Sequence, residues 1–225
     1  MSQLFGILLS LIPTPNVPEF RIQKRGGKIV QHLAKCIRKE YNNPNARDYI
    51  LHLNSVYEQM ARGEVQNVDR PIRWCVENNE VNLGPKGRDQ QPRNLSELLR
   101  ALICVLEMLE DLHREPTMYH RDIQWSNIVQ DLSDPSKWFV IDWDDAATPP
   151  TKAALHLRED THSPDVRHDG HGPEVDIWGV GQFICETRVR CPLGLREYGQ
   201  NMKDGSGRIT AKDALESIRS YEVCE

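Results

Sequence analysis

Two long stretches of the chain repeat apolar residues at the spacing of an amphipathic helix. One helix is predicted over residues 48–62, and its apolar stripe comprises Ile50, Leu51, Leu53, Val56, Tyr57 and Met60. Asn94, followed three residues later by Glu97, resembles a capping box and predicts the start of a second helix that runs to about His113. This second helix has so many apolar positions that we expect it to be buried on most sides. Residues 175–185 predict a third, central helix.

Shorter apolar runs between turn residues predict strands. Residues 28–35 predict one strand, and residues 71–83 predict two short ones. Residues 128–129 and 138–141 predict two more, joined by the Ser-Asp-Pro-Ser turn at residues 133–136. The chain thus combines predicted helices with predicted strands.

Composition narrows the class of protein. The chain has 225 residues, 27% of them charged and 39% hydrophobic, which is typical of a globular protein with a proper core. A net charge of -5 provides no basic surface for nucleic acid, so we expect no nucleic-acid partner. Six cysteines lack CxxC spacing and are predicted to be reduced thiols of an intracellular protein, cytoplasmic or nuclear: Cys36, Cys75, Cys104, Cys185, Cys191 and Cys224.

The N-terminal residues 1–25 are predicted to be an irregular apolar and proline-rich segment. Residues 4–12 are apolar, but nine residues are too few to cross a bilayer, so we expect no transmembrane segment. No Lys or Arg precedes them and no clear cleavage site follows, which disfavours a signal peptide. A docking helix or strand and the ragged start of a shortened gene remain the two interpretations.

Three polar residues beside the strands predicted around residues 128–141 suit phosphoryl transfer. Asp122 and Asn127 lie five residues apart in a polar loop, and Asp142 directly follows the second strand. The hairpin would hold all three around one point. Phosphoryl transfer from a nucleotide needs a carboxylate that accepts the proton of the nucleophile and two oxygen ligands for magnesium.

These motifs resemble those of the eukaryotic protein kinase-like superfamily. His120-Arg121-Asp122 with Asn127, followed by Asp142, is similar to the catalytic loop and metal-binding aspartate of kinases. Residues 163–165, Ser-Pro-Asp, resemble the end of a kinase activation segment. Residues 174–181 are similar to the start of the buried helix of the kinase C-lobe, and residues 207–215 resemble the segment near the end of that domain.

Within kinases, the chain resembles the fungal-type protein kinase-like family at two segments. These are Gly84-Pro85-Lys86-Gly87-Arg88 and the Asp-Ile that follows His120-Arg121. The resemblance covers roughly residues 27–220. It implies a bilobal α+β fold with a reduced β-rich N-lobe at residues 26–83 and a mostly helical C-lobe at residues 84–225. ATP and Mg²⁺ would bind between the lobes.

The resemblance also implies roles for individual residues. Asp122 would be the catalytic base, Asn127 and Asp142 would bind Mg²⁺, and Lys35 would contact the nucleotide phosphates. Arg121 would anchor a phosphorylated residue of the activation segment. The candidates for that residue are Thr148, Thr151 and Thr161. Two further roles are structural: Asp176 would cap the backbone of the catalytic loop, and Asp165 would pair with Arg208.

Several positions depart from the kinase pattern. Residues 1–25 contain Gly6 alone, so no phosphate-cradling glycine loop is evident. The first predicted helix corresponds to a kinase helix that carries a glutamate. The equivalent position falls near Leu53 or Asn54, and no acidic residue is there. Gln124 stands where many kinases have a lysine, and Asp144 replaces the glycine that follows the metal-binding aspartate by two residues.

Three functions are therefore compatible with the sequence. The favoured one is a serine/threonine protein kinase that phosphorylates a protein substrate with Mg-ATP. The departures favour a pseudokinase that serves as a binding or regulatory module. Asp142-Trp143-Asp144 is also similar to a triplet of aminoglycoside and choline phosphotransferases, which would make the substrate a small molecule. Three histidines in a polar loop, His162, His168 and His171, are a weaker candidate for a metal site.

Overall fold

The computed structural model describes residues 20–24, 27–205 and 209–222 and has the α+β class predicted from the sequence. Within these residues, five strands form one antiparallel sheet with the order β1-β2-β3-β5-β4. Their bounds are Phe20–Gln23 (β1), Lys28–His32 (β2), Ile37–Tyr41 (β3), Arg70–Cys75 (β4) and Glu80–Gly84 (β5). Helix α1, Ala46–Arg62, connects β3 to β4 and buries its predicted apolar stripe, except for Leu51, which is half exposed.

A second antiparallel sheet has three strands in the order β6-β7-β8. These are Gly87–Arg88 (β6), Ile128–Asp131 (β7) and Trp138–Val140 (β8). The remaining helices are Leu95–Arg114 (α2), Glu174–Glu186 (α3), Leu193–Asp204 (α4) and Ala211–Glu222 (α5). A long loop, residues 146–173, connects β8 and the short 3₁₀ turn after it to α3.

Helix α2 lies at the centre of the core, as its apolar composition predicts. Asn94 caps its first turn, because the Asn94 side chain accepts a hydrogen bond from the Glu97 N–H at 2.9 Å. Nine residues of α2 are buried, and each fully buried leucine contributes about 1.5–3 kcal/mol. The helix packs against α5, β8 and α3, so it supports the loop that leads to the β7–β8 hairpin.

The strand predicted over residues 28–35 is wrong beyond His32. The chain turns at residues 33–36, where the Leu33 N–H donates to the Cys36 carbonyl at 2.9 Å, and a separate strand, β3, follows. The β3 sequence, Ile-Arg-Lys-Glu-Tyr, has three consecutive charged residues and therefore gives no apolar signal for a strand. The β2–β3 hairpin pairs Lys28 with Tyr41 and Val30 with Lys39.

No helix in the described part of the chain is long and apolar enough to cross a membrane. The apolar residues 4–12 lie outside the described residues. Cys36, Cys75, Cys104, Cys185 and Cys191 are free thiols, as predicted, and Cys224 also lies outside.

Candidate functional site

The loop that carries Asp122 is fastened to α3 through one buried carboxylate. Asp176 is fully buried and accepts hydrogen bonds from the His120 N–H at 2.9 Å and the Arg121 N–H at 2.7 Å. Its third contact is with His113 Nε2 at 3.0 Å. Burial would raise the pKa of Asp176, but these donors and the nearby histidines outweigh it and lower the pKa below 3.8. The predicted capping role of Asp176 is therefore confirmed.

Close approach of this loop to α3 requires a glycine. A Cβ atom added at Gly179 would lie 2.7 Å from the Ile123 carbonyl oxygen and 2.8 Å from its Cβ. Only a residue without a side chain leaves that space. Arg121 has a φ of 69°, a conformation that non-glycine residues rarely adopt and that tends to occur at functional sites.

Asp122 and Asn127 contact each other directly. Asn127 Nδ2 donates to Asp122 Oδ2 and to the Asp122 carbonyl, both at 2.8 Å. Because both bonds use the amide nitrogen of Asn127, its Oδ1 atom is the one that could bind a cation. The other carboxylate oxygen, Asp122 Oδ1, accepts from Gln124 Nε2 at 2.7 Å and contacts His162 Nε2 at 2.7 Å.

The β7–β8 hairpin brings Asp142 next to this pair. The Ile141 N–H donates to the Asn127 carbonyl at 2.9 Å, so Asp142 follows directly on the strand beside Asn127. The hairpin thus brings the backbone that precedes Asp142 beside Asn127, while the Asp142 carboxylate contacts lysines. Asp142 also has a φ of 69°, the second such residue in the site. The Asn127 Oδ1 atom and the Asp142 carboxylate could serve as two oxygen ligands of Mg²⁺, because this ion keeps waters and substrate phosphates as its other ligands.

One face of the β2–β3 hairpin points at Asp142 and Asp144. Alternate residues of a strand share a face, so Lys39 and Tyr41 lie side by side, and Lys28 is opposite Tyr41. Lys39 Nζ lies 2.7 Å from Asp142 Oδ1 and 3.3 Å from Asp144 Oδ1. Tyr41 Oη donates to Asp144 Oδ1 at 2.8 Å.

Two further lysines complete this cluster. Lys28 Nζ lies 2.8 Å from Asp142 Oδ1 and 2.7 Å from Asp144 Oδ2. Lys24 Nζ lies 3.4 Å from Asp142 Oδ2. Burial would raise the pKa of Asp142, but the charges of these three lysines hold it well below 3.8. Asp142 is therefore ionised at neutral pH, as a metal ligand must be.

Trp143, which lies between Asp142 and Asp144 in the sequence, anchors their turn in the core. Trp143 is buried, its ring packs edge-on against His120, and its Nε1 donates to Asp69 Oδ1 at 3.1 Å. Tyr57 Oη donates to the same oxygen at 2.8 Å. Burial raises the pKa of Asp69 to about 6 despite the charge of Lys39 and these hydrogen bonds. This network fixes the turn on which Asp142 and Asp144 lie.

The structure corrects the prediction for Lys35. Lys35 is exposed in the turn between β2 and β3, and the lysines that pair with Asp142 in the described part of the chain are Lys24, Lys28 and Lys39. Sequence reasoning missed Lys39 because it extended β2 through the turn. The three consecutive charged residues of β3 left no apolar pattern that would have predicted this strand.

Asp144 supplies a carboxylate partner for Lys39, whereas helix α1 has no glutamate at the position where kinases have one. No contact between Lys39 and an acidic residue of α1 is found, and the carboxylates that hold Lys39 among the described residues are Asp142 and Asp144. Burial would lower the pKa of Lys39, but these two charges raise it well above 10.5. An aspartate at position 144 therefore has a positioning role.

Arg121 holds the long loop 146–173 and the turn before it through backbone carbonyls. Its Nε donates to the Asp145 carbonyl and its Nη1 to the Lys152 carbonyl, the latter at 3.0 Å. Of the three candidate threonines, Thr148 is exposed and Thr151 is buried with its hydroxyl on the His171 carbonyl. Thr161 Oγ1 contacts His162 Nδ1 at 2.9 Å. The predicted pair of Asp165 with Arg208 cannot be placed, because Arg208 lies outside the described residues.

His162, which sequence reasoning considered only as a metal ligand, belongs to the environment of Asp122. It is buried, and its Nδ1 lies 3.0 Å from the Arg158 carbonyl while its Nε2 contacts Asp122. No group of three or more His, Cys, Asp or Glu residues in the described ranges is arranged to hold a metal. Burial would lower the pKa of His162, but the hydrogen bond and charge of Asp122 outweigh it, and the net effect raises the pKa above 6.5.

We expect the substitution H162Q to lower the free energy of unfolding in a pH-dependent way. Because the folded-state pKa is raised, the stabilisation is fully present below about pH 6.5 and is lost as the pH rises through the folded-state value. The loss in H162Q should be about 1–2 kcal/mol larger in that acidic range than in alkaline solution. The negative charge of Asp145 also raises the pKa of His162, and the charge of His162 lowers the pKa of Asp160.

Urea denaturation of both proteins across this pH range measures the effect. His168 is exposed in the same loop, so H168Q is the matched control and should show no such dependence. An equal loss in H162Q at every pH would contradict the ion pair with Asp122.

No protein-family model matches the chain. The chain is similar to Crinkler effector protein 8 of Phytophthora infestans, with 32% identity over 185 residues. The matched region is 76% of this chain and 30% of that relative. The similarity thus covers most of the described fold, and the chain spans less than a third of the length of the relative.

Proposed function

We propose that the chain is a protein kinase-like phosphotransferase that transfers the γ-phosphoryl group of Mg-ATP to a serine or threonine of a protein. The observation that carries the proposal is that one backbone hydrogen bond, from Ile141 to Asn127, links two side-chain pairs. One pair is Asp122 with Asn127, and the other is Asp142, the residue after Ile141, with Lys39. A base, two oxygen ligands and a buried cation are the parts that phosphoryl transfer requires. In this proposal residues 26–83 and 84–225 are the two lobes, and ATP binds between them.

Asp122 would accept the proton of the substrate hydroxyl. A carboxylate has about four acceptor positions, and Asn127, Gln124 and His162 occupy three of them. The fourth is left for the hydroxyl, and the three fixed contacts hold the carboxylate in one orientation. Such orientation is a large part of catalysis when the reacting atoms must meet in line.

Asn127 Oδ1 and the Asp142 carboxylate would hold Mg²⁺. The ion would neutralise charge on the phosphates when bound. Lys39 would contact the phosphates, with Asp144 and Tyr41 keeping its ammonium group in place. The pKa of Lys39 is raised well above 10.5, so it remains a cation throughout the physiological pH range.

A protein substrate is supported by the long loop 146–173. Arg121 fastens this loop beside Asp122, and His162 brings its later part to the Asp122 carboxylate. The same loop lines an open hollow of about 510 Å³ formed by Leu155, Glu159, Pro164, Arg167 and His168. Its lining combines apolar and charged side chains that an extended peptide could contact.

Radiolabelled Mg-ATP offered with a serine/threonine peptide library, and separately with aminoglycosides and choline, tests the proposal. We expect phosphate in the peptides and none in the small molecules. Transfer to an aminoglycoside or choline would replace the proposal with a small-molecule phosphotransferase. Nucleotide binding without transfer to any acceptor would indicate a pseudokinase that serves as a binding module.

A further inference from the structure

The described structure leaves Lys28 without a role in the site as proposed so far. Its ammonium group contacts both carboxylates of the Asp142–Asp144 turn, and its side chain is 15% exposed. Three ammonium groups, those of Lys24, Lys28 and Lys39, surround two carboxylates. Buried Asp69, which interacts with the charge of Lys39, adds a third negative charge, so the described cluster is balanced. Mg²⁺ bound at Asp142 would give it an excess of positive charge, which favours an additional anion.

The backbone holds Lys28 at this point of the hairpin. The Asn42 N–H donates to the Gly27 carbonyl at 2.8 Å, and the Lys24 N–H donates to the Lys28 carbonyl at 2.7 Å. Gly27 has a φ of 76°, and a Cβ there would lie 2.6 Å from the Asn42 oxygen, so the close contact needs glycine. Lys28 is thus placed by strand pairing, on the same face as Lys39 and Tyr41.

Asp142 cannot keep all of its lysine contacts while it serves as a metal ligand. Lys28 and Lys39 both bind Asp142 Oδ1, at 2.8 and 2.7 Å, and a cation on that oxygen would compete with both ammonium groups. Lysine is a flexible point charge that suits phosphate oxygens. If the triphosphate lies over the Asp142–Asp144 turn, a lysine released from Asp142 could bind the phosphate oxygens.

We propose that Lys28, assisted by Lys24, is a phosphate-binding residue, and that these side chains do the work that backbone N–H groups of a glycine-rich loop do elsewhere. The inference rests on the proposed function, because it assumes that the triphosphate occupies this site. The phosphates would then contact two cations, Lys28 on β2 and Lys39 on β3. The Lys24 side chain is half exposed and its Nζ lies 3.4 Å from Asp142 Oδ2, so we expect it to contribute less to phosphate binding than Lys28.

Calorimetric titration of the whole chain with Mg-ATP and with adenosine tests the inference. We expect K28M to raise the Kd for Mg-ATP about ten- to a hundredfold, and K28R to keep it within about threefold. The Kd for adenosine should be unchanged in both variants, since adenosine has no phosphate. K35M, which removes the exposed lysine of the next turn, is the matched control and should bind Mg-ATP like the unaltered chain.

The outcomes separate this inference from the proposed function. Mg-ATP binding that K28M leaves intact would overturn the inference and leave the function standing. A parallel loss of adenosine and Mg-ATP affinity in K28M would show a structural role and also overturn the inference. If the unaltered chain bound no Mg-ATP, both the inference and the proposed function would be wrong.

A thermal melt of each variant without ligand identifies any variant that does not fold. If K28M does not fold, K28R decides, because it should bind Mg-ATP normally only if a cation at position 28 suffices.

Discussion

Replacing Asp122 with asparagine should slow phosphoryl transfer about 10²- to 10⁴-fold, the usual contribution of a general base. Asparagine cannot accept the substrate proton. Its amide NH₂ would also face either Asn127, which donates to Oδ2 of the native carboxylate, or Gln124 and His162, which lie at Oδ1. The side chain should therefore rotate, and the hydroxyl of the substrate would lose its partner. The initial rate of peptide phosphorylation measures this.

Binding of Mg-ATP should survive D122N, because Asp142 and Lys39 do not contact Asp122 in the described structure. The exposed carboxylate of Asp160, which pairs with Arg158 in the long loop, offers a matched control. D160N should transfer phosphate at the rate of the unaltered chain. A D122N protein that keeps full activity would show that another group takes the proton.

The substitution D176A should have the largest effect on stability. It removes the acceptor for two backbone N–H groups and for His113, all at a fully buried position. Leaving these buried donors without an acceptor should cost about 3–5 kcal/mol together. For a chain of this length that corresponds to a fall in melting temperature of roughly 6–20 °C.

Glu186 provides the matched control for this substitution, because it is an exposed acid at the end of the same helix. E186A should change the free energy of unfolding by less than about 0.5 kcal/mol. Circular dichroism melts of both variants measure the difference. If D176A melted within about 2 °C of the unaltered chain, the account of Asp176 as the anchor of the loop that carries Asp122 would be wrong.

The second half of the chain was predictable from sequence because its signals are local. The apolar surface of α2, the Asn94 cap and the turn at residues 133–136 each determine structure within a few residues. The contact of Asp122 with Asn127 and the short hairpin that leads to Asp142 follow from the same local order of residues. Asp176 was assigned from its motif, and the hydrogen bonds confirm that assignment.

The charged cluster around Asp142 was not predictable in the same way. It depends on which strands pair, and the charged sequence of β3 conceals a strand whose lysine is buried by its partners rather than by apolar neighbours. Lys28 and Asp144 come from segments more than a hundred residues apart. A contact of that kind becomes visible only when the sheet is assembled, since no local pattern encodes it.

The most direct test of the central claim is a thermal shift with Mg-ATP on the unaltered chain and on D142N. At a ligand concentration about 100 times the Kd, binding should raise the melting temperature by roughly 5–10 °C. D142N should lose that rise, because it lacks the ionised carboxylate that would hold Mg²⁺ and the partner of Lys39. No rise in the unaltered chain, or an equal rise in both proteins, would contradict a nucleotide site built on Asp142.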